Sequence, residues 1–319
     1  MSSTRGEKIL VTGALGQIGT DLVEALREKN GVENVISTDI RKIVGHTAIE
    51  EGPFMILDVL DFQGMRKICD DEGVETIYHL GAMLSAVGEK DPELCRRVNN
   101  GGTQNVIDVA KKSGIRVYAP SSIAVFGPDS PKLAPQDAEL NPTTVYGETK
   151  VWGEKRAREN MREFGLDLRG IRYPGLVSYK APAGGGTTDY AVEIFHAALD
   201  YGHYECFVSA STRLPMLYME DAIRATQMLM DASNGALDQS VKSGYNISCL
   251  SFTAKELADA ISDRVEGFSC DFVPDIRQKY ADSWPDSIDG SVAERDWGWK
   301  PNFNLNEMVD AMLEGVSSN

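Results

Sequence analysis

The sequence has few cysteines, and their spacing suits neither disulfides nor zinc. Its 319 residues contain five cysteines, and no two of them form a C-x-x-C motif. An odd set with this spacing argues against a disulfide framework and against a zinc site. The four histidines are scattered and have no metal-ligand partner at helical spacing. We therefore expect a metal-independent protein in a reducing compartment.

Long hydrophobic runs are also missing. The longest apolar stretches, such as Ile9–Val11, are strand-sized and fall far short of the roughly 20 residues that a membrane helix needs. The polar start, Met1 to Lys8, leads directly into the first apolar run and leaves no room for a signal or transit peptide. These features predict a cytoplasmic protein without a membrane span, with the mitochondrial matrix as the alternative if a presequence has been removed.

Basic residues are scarce relative to acidic ones. The 32 lysines and arginines face 48 aspartates and glutamates, which gives a formal net charge of −16. Such a charge repels nucleic acid and anionic membranes, so both are poor candidates as partners, and a small-molecule substrate is expected. The hydrophobic content of 42% and the charged content of 25% are ordinary for a globular protein.

Short β-branched runs alternate with helical patterns in the first half of the chain. This alternation predicts an α/β fold with a Rossmann-type, doubly wound parallel sheet. The six predicted strands lie near 9–11, 35–38, 54–57, 76–79, 116–119 and 168–171.

After Pro174 the pattern changes to loops rich in glycine and proline and to isolated helices. We predict that residues 1–175 form a Rossmann-type domain and that 216–248 return to it, with Tyr245–Ser248 as the returning segment. Residues 176–215 and 249–319 are then a smaller substrate-binding cap.

Three glycines stand at the first predicted strand-to-helix junction. Gly13, Gly16 and Gly19 have the G-x-x-G-x-x-G spacing and enclose Gln17 and Ile18. Glycines at this junction permit a tight turn and a close approach of backbone amides to a pyrophosphate. The pattern predicts a dinucleotide-binding loop.

The residue that ends the second predicted strand points to NAD. Asp39 follows Gly19 by twenty residues, and its carboxylate can accept hydrogen bonds from the adenosine ribose while repelling the 2′-phosphate of NADP. Arg41 and Lys42 follow at once and offer the alternative of attracting that phosphate. Further cofactor contacts are predicted where the third and fourth strands end, at Asp58, Val59, Leu80, Gly81 and Ala82, whereas His79 is interpreted as a packed histidine.

Tyr146 and Lys150 are the predicted proton-transfer pair. Their spacing of four residues places the phenol and the ammonium on one face of a helix that Thr143 or Thr144 can cap. A nearby lysine ammonium and the positive nicotinamide ring favour the phenolate, so they are expected to lower the pKa of Tyr146.

The segment after the fifth strand carries a family pattern. Ser122 stands two residues before Ala124, and an aliphatic residue, an aromatic residue and Gly127 follow. In this motif the chain resembles the extended short-chain dehydrogenase/reductase family, which implies that Ser122 donates a hydrogen bond to the substrate oxygen, with Ser121 as the alternative. The same resemblance implies roles at the cofactor site for three further residues, Asn99, Tyr173 and Leu176.

Three stretches indicate a substrate class. These are Ser121 to Tyr146, the G-G-G-T-T-D-Y-A run within 182–191, and Ser283–Ser287. They resemble the short-chain-type L-threonine 3-dehydrogenases. The resemblance implies NAD-dependent oxidation of L-threonine at its side-chain hydroxyl to 2-amino-3-oxobutanoate, with the substrate held by Ser85, Ser122, Tyr146, Thr188 and Trp284.

Two other functions remain open on the sequence. A nucleotide-sugar epimerase or dehydratase shares Ser122, Tyr146 and Lys150 but needs cations for a diphosphate, and the cap segments show no dense basic cluster. A nicotinamide-sensing module without turnover is the other alternative. The resemblance also implies a homodimer, paired through the helices that start near Leu94 and Tyr146. Gly184–Gly186 are a candidate hinge of a lid.

Overall fold

The structure is a computed structural model that describes residues 6–181 and 184–318. Pro182 and Ala183, which belong to the glycine-rich stretch named above, lie outside the described residues. The strands are β1 (Ile9–Thr12), β2 (Val35–Asp39), β3 (Phe54–Ile56), β4 (Thr76–His79), β5 (Arg116–Tyr118), β6 (Ser121–Ser122), β7 (Leu133–Ala134), β8 (Leu168–Arg169), β9 (Arg172–Tyr173), β10 (Gly175–Val177), β11 (His203–Cys206), β12 (Arg213–Tyr218), β13 (Leu250–Thr253), β14 (Ser269–Phe272) and β15 (Ser287–Ile288).

The helices surround these strands. They are α1 (Gln17–Asn30), α2 (Thr47–Glu50), α3 (Phe62–Glu72), α4 (Ser85–Gly88), α5 (Pro92–Ser113), α6 (Val145–Phe164), α7 (Tyr190–Asp200), α8 (Met219–Asp231), α9 (Ala254–Ser262), α10 (Ile276–Ala281), α11 (Ser291–Trp297) and α12 (Leu305–Ser318). Short 3-10 helices cover Val32–Asn34 and Ile123–Val125.

A parallel sheet of six strands forms the centre of the molecule. Its order is β3-β2-β1-β4-β5-β8, and every neighbouring pair is parallel. β1, β2 and β4 are buried along their whole length, as expected for strands covered by helices on both faces. All six predicted strands are present, and the predicted doubly wound α/β fold is confirmed. Because β2 and β4 flank β1, a crevice opens above the carboxyl end of β1.

The chain returns to the sheet late in the sequence. Tyr245 forms a parallel bridge with Ile171, and the Arg172 N–H donates to the Tyr245 carbonyl at 2.8 Å. Residues 170–172 are therefore bordered on one side by the segment that contains Ser121 and on the other by Tyr245. The division into a cofactor domain and a cap stays a prediction.

Separate apolar clusters pack against the two larger sheets. One lies between α1 and α8 and includes Leu22, Leu229 and Trp299, whose indole N–H donates to the Ser248 carbonyl at 2.9 Å. Another, built from α7, α9 and α12, lies beneath the small sheet β10-β12-β13. The segment around Trp299 therefore packs against the first cluster, although it falls within the predicted cap range.

Two properties of the chain bear on its chemistry. All five cysteines are free thiols. Within 6–181 and 184–318, no helix is long and apolar enough to cross a membrane.

Candidate active site

A cleft lies at the carboxyl edge of the sheet. It brings together residues that are far apart in the sequence. Of the predicted site residues, those that line it are Gly13, Gly16, Gln17, Ile18, Gly19, Leu80, Ala82, Ser85, Ser122, Tyr146, Lys150, Tyr173, Leu176, Thr188 and Trp284. The predicted Asp39, Arg41, Asp58, Val59, Gly81 and Asn99 lie outside this lining.

The glycine loop leaves room for a phosphate group. Gly13 has a φ of +67°, and a Cβ there would lie 2.6 Å from the Gly81 nitrogen. Helix α1 begins without a side-chain cap at Gly16 and has no acidic residue in its first turn, so its terminal N–H groups are free for an anion. The loop therefore fits the pyrophosphate of a dinucleotide.

Asp39 lies at the end of β2, beside this loop. Its carboxylate accepts from the Leu15 N–H at 3.2 Å and forms an ion pair with Arg41 at 3.1 Å. The Arg41 guanidinium also donates to the Leu15 carbonyl at 3.3 Å. Arg41, one of the two side chains that offered a phosphate contact, is thus engaged with Asp39, an arrangement that favours a free ribose over a 2′-phosphate.

The other predicted cofactor residues are placed by turns and close packing. Asp58 is exposed and accepts from the Leu60 N–H at 2.9 Å, as a turn residue does. A Cβ on Gly81 would lie 2.7 Å from Val59, so the loops that follow β3 and β4 touch. His79 is buried and bonds through Nδ1 to the Thr12 hydroxyl at 2.9 Å. Burial and the nearby charge of Lys150 lower the pKa of His79 to about 3, which fits a neutral packed side chain.

Helix α6 presents Tyr146 and Lys150 to the cleft. Thr144 caps the helix, since its hydroxyl accepts from the Gly147 N–H at 3.0 Å. A Cβ on residue 147 would lie 2.1 Å from the Ala124 carbonyl oxygen, so the first turn of α6 packs tightly against the Ser122 segment. The absence of a side chain at Gly147 therefore allows Tyr146 to approach Ser122.

The titration of the pair differs from the expectation. Burial raises the pKa of Tyr146 to about 12, and a hydrogen bond with Ser122 offsets part of this effect. Burial also lowers the pKa of Lys150 to about 8. The Lys150 ammonium donates to the Pro120 carbonyl at 2.8 Å and lies 5.4 Å from the Tyr146 ring centroid. The expected lowering of the Tyr146 pKa is thus not found in the protein alone, where desolvation raises it.

The two adjacent serines have different partners. The Ser121 hydroxyl is buried and donates to the Glu154 carboxylate at 2.6 Å. Ser122 lines the cleft and interacts with Tyr146, and its oxygen accepts from the Ala124 N–H at 3.2 Å. Ser122 is therefore the serine available to a substrate oxygen.

Two residues grouped with the cofactor site have polar groups that bond within the protein. The Asn99 side chain accepts from the Met83 N–H at 2.8 Å, and it donates to the Met83 carbonyl and to the Thr149 hydroxyl, each at 3.1 Å. The Tyr173 hydroxyl is buried against Thr226. Neither polar group is free for a cofactor, because each connects neighbouring segments, although Tyr173 itself lines the cleft.

The predicted substrate contacts lie on three separate segments. Ser85 opens α4 and is buried, and Thr188 precedes α7. Trp284 follows α10 and is partly buried. All three line the same cleft as Ser122 and Tyr146. A small polar substrate bound there would lie among the glycine loop and these three segments.

Two cleft residues were not singled out in the sequence. The Thr187 hydroxyl is buried and has no hydrogen-bond partner, and Thr187 lines the cleft. Asp189 accepts from the Gly185 and Gly186 N–H groups at 2.7 and 2.6 Å and so fixes the loop that carries both threonines. The run G-G-G-T-T-D contained a signal for Asp189, because an aspartate often binds backbone amides of a preceding turn.

Two further features concern structure and metal binding. Asp221 lies inside α8, forms an ion pair with Arg224 at 2.8 Å and accepts from the Asn302 and Phe303 N–H groups. It therefore anchors the C-terminal segment. Among the side chains that the structure describes, no group of three or more His, Cys, Asp or Glu is arranged to hold a metal ion.

Comparison with known proteins agrees with this geometry. The NAD dependent epimerase/dehydratase family matches residues 9–247. The bovine mitochondrial L-threonine 3-dehydrogenase is 43% identical over 309 residues, which cover 96% of this chain and 82% of the bovine one. An uncharacterised epimerase/dehydratase of Staphylococcus aureus is also 43% identical, over 97% of each chain.

Solved structures add a comparison in three dimensions. A monomeric L-threonine 3-dehydrogenase from a metagenome superimposes with a TM-score of 0.93 at 50% identity, covering 97% of this chain and 99% of that one. The chain is thus a nucleotide-binding α/β oxidoreductase by fold and site. It belongs to the NAD dependent epimerase/dehydratase family.

Proposed function

We propose that the protein oxidises L-threonine at its side-chain hydroxyl, with NAD as oxidant, to give 2-amino-3-oxobutanoate. The observation that carries this proposal is the cleft itself. It is lined by Ser122 and Tyr146, by an uncapped, glycine-rich helix start, and by Ser85, Thr188 and Trp284. The likeness to L-threonine 3-dehydrogenases over nearly the whole chain supports it.

The cofactor's position follows from the residues that fit it. Gly13 to Gly19 would bind the pyrophosphate, and Asp39 the adenosine ribose. When bound, NAD supplies the oxidant, because its nicotinamide ring accepts the hydrogen and the two electrons that leave the substrate carbon.

The residues of this chain handle the proton. Tyr146 takes the proton as the O–H bond of the substrate breaks, and the Ser122 hydroxyl donates to the same oxygen as negative charge builds there. Lys150 contributes a positive charge on the same helix face. Burial raises the pKa of Tyr146 and so disfavours the phenolate that accepts the proton. Positive charge in the cleft, from Lys150 and from the nicotinamide ring of bound NAD, would offset this effect.

Charge in the cleft argues against a nucleotide-sugar substrate. Among the described lining residues, Lys150 is the one lysine or arginine, and Asp189 adds negative charge. A sugar nucleotide needs cations or helix termini for its diphosphate. A zwitterionic amino acid can instead be held by hydroxyl groups and backbone amides, which this cleft offers at Ser85 and Thr188.

The test is to mix purified protein with NAD and follow NADH formation. L-threonine is the expected substrate, and L-allo-threonine, L-serine and UDP-sugars are the comparisons. NADH formation on L-threonine above the other compounds supports the proposal. Absence of NADH with L-threonine, alongside conversion of a UDP-sugar, overturns it in favour of an epimerase or dehydratase.

Assembly and compartment are part of the proposal. We infer a homodimer formed through α5 and α6, which pack side by side in one protomer. A relative that is described as monomeric makes size-exclusion chromatography with light scattering the necessary check. We also infer a cytoplasmic location, with the mitochondrial matrix as the alternative, and the relative from cattle is described as mitochondrial.

A further inference from the structure

A buried acidic residue lies one helical turn beyond Lys150. Glu154 follows Lys150 on α6 by four residues, and its side chain is 1% exposed. One carboxylate oxygen accepts from Ser121 at 2.6 Å and from the Arg172 Nε at 2.9 Å. The other accepts from the Arg172 Nη2 at 2.9 Å and from Arg158 at 3.3 Å.

The partner of Glu154 is also held on all sides. The Arg172 side chain is 5% exposed and pairs with Glu154 in a two-pronged geometry that fixes both groups. Its remaining nitrogen donates to the Gln136 carbonyl at 3.0 Å and to Asn246 at 3.2 Å. The ion pair thus joins α6 to β9 and to the segment that returns along the sheet edge.

The segment that contains Ser243 and Gly244 packs directly against this ion pair. The Ser243 hydroxyl donates to the Glu154 carbonyl at 3.1 Å, and a Cβ on Gly244 would lie 2.4 to 2.6 Å from the carboxylate. A buried carboxylate that is bound by two arginines and a serine is costly to assemble, so stability alone is a weak reason for its presence. Its contacts lead instead to the catalytic residues.

We propose that Glu154 is a positioning residue for proton transfer: it fixes Ser121, and through the chain Ser122, while placing a negative charge one turn from Lys150. This inference rests on the proposed function. Ser121 and Ser122 are consecutive in β6, which pairs with Arg172 and Tyr173 of β9. Glu154 therefore binds both strands of this pair, through Ser121 on β6 and Arg172 on β9. The orientation of the Ser122 hydroxyl depends on these contacts.

The charge of Glu154 also acts on Lys150. The groups that face the ammonium are Tyr146 and Glu154 on α6, Cys95 on α5 and His79 on β4. Burial lowers the pKa of Lys150 most, and Cys95 and, after it, Glu154 raise that pKa in opposition. Loss of the carboxylate should therefore lower the pH at which Lys150 loses its charge.

The experiment compares Glu154→Gln with Glu159→Gln. Glu159 lies on the same helix, is partly exposed and forms an ion pair with Arg156 at the surface. For Glu154→Gln we expect kcat on L-threonine to fall about tenfold with KM changed by less than about twofold. Glu159→Gln should stay within about twofold of the unaltered protein on both constants.

A second readout does not depend on the substrate. The pH dependence of Lys150 acetylation by acetic anhydride, measured by peptide mass spectrometry, reports the Lys150 titration directly. We expect its midpoint to fall by roughly half a unit to one unit in Glu154→Gln and to stay in place in Glu159→Gln. A purely structural role would reduce the folded fraction without moving this midpoint.

A third variant covers the case in which Glu154→Gln does not fold. Ser121→Ala keeps the ion pair and removes only the link to the strand, so kcat should fall several-fold with the Lys150 midpoint unchanged. Unaltered kcat in Ser121→Ala, or unaltered kcat and midpoint in folded Glu154→Gln, overturns the inference. If the unaltered protein fails to oxidise L-threonine, the proposed function falls, while the acetylation midpoint still decides on Glu154.

Discussion

The two sides of the cleft are built in different ways. On the cofactor side, residues 13–19 use backbone: a positive φ at Gly13, closely packed glycines and the free N–H groups of α1. On the substrate side, Ser85, Thr188 and Trp284 use side chains that come from three separate segments. A backbone site is specified within seven residues, whereas a side-chain site depends on the whole fold.

This difference explains which properties the family shares. A phosphate-binding turn serves any dinucleotide enzyme of this fold, so it defines the cofactor but not the substrate. Tyr146 and Ser122 lie where the two sides meet. Substitutions on each side should therefore change different constants, and substitution at the junction should change the chemical step.

The largest effect is expected at the junction. Tyr146→Phe removes the proton acceptor, so kcat should fall about 10³-fold, in the range of a positioned acid–base group. NAD affinity, measured by fluorescence titration, should change by less than about twofold. Tyr201→Phe, at a tyrosine that is 81% exposed, is the control and should leave both kcat and NAD affinity unchanged. If Tyr146→Phe keeps more than about a tenth of the normal kcat, Tyr146 is not the proton acceptor.

A second change tests the cofactor side. Asp39→Asn removes the charge that favours a free ribose, so KM for NAD should rise about tenfold and the preference over NADP should narrow. KM for L-threonine should stay within about twofold. Asp70→Asn, at a surface ion pair with Arg66, is the matched control. An equal rise in both KM values would show that the two sides are not separable.

A third change tests the substrate side. Thr188→Val removes one hydroxyl from the cleft, so KM for L-threonine should rise about tenfold while NAD affinity is unchanged, in line with the loss of one buried hydrogen bond. Thr188→Ser keeps the hydroxyl and should retain most of the affinity. Steady-state kinetics with each ligand varied separately measures both constants, and an unchanged KM in Thr188→Val would take Thr188 out of the substrate site.

The smallest expected effect is that of a chelator. Because neither side of the proposed site uses a metal ion, dialysis against EDTA should leave kcat unchanged within experimental error. A zinc-dependent alcohol dehydrogenase treated in parallel should lose activity, which verifies the treatment. Loss of activity that zinc restores would refute the metal-independent mechanism.

Much of the cofactor side could be predicted from the sequence. The strands around β1 and the glycine loop have local signals, since β-branched runs and closely spaced glycines act within a few residues. The position of Ser122 and the cap at Thr144 follow from similarly short patterns, although the choice between Thr143 and Thr144 needed the structure.

Other features could not be predicted, because they depend on contacts between distant segments. Ser121 is bound by Glu154, and Glu154 is bound by Arg172, so the choice of Ser122 rests on a network of three segments. The raised pKa of Tyr146 has the same origin, since its cause is burial, which exists only once the fold encloses the phenol. The spacing of Tyr146, Lys150 and Glu154 on one helix face was the available signal, and it did not reveal Arg172.

The most direct test traces the hydrogen that leaves the substrate. L-threonine carrying deuterium at the side-chain carbinol carbon is incubated with NAD and the protein, and the NADH is analysed by mass spectrometry. The proposed reaction breaks that C–H bond and the O–H bond of the same carbinol. One deuterium should therefore appear in NADH, while the proton passes to Tyr146. NADH without deuterium, or no NADH at all, would contradict the assignment of this cleft to L-threonine oxidation.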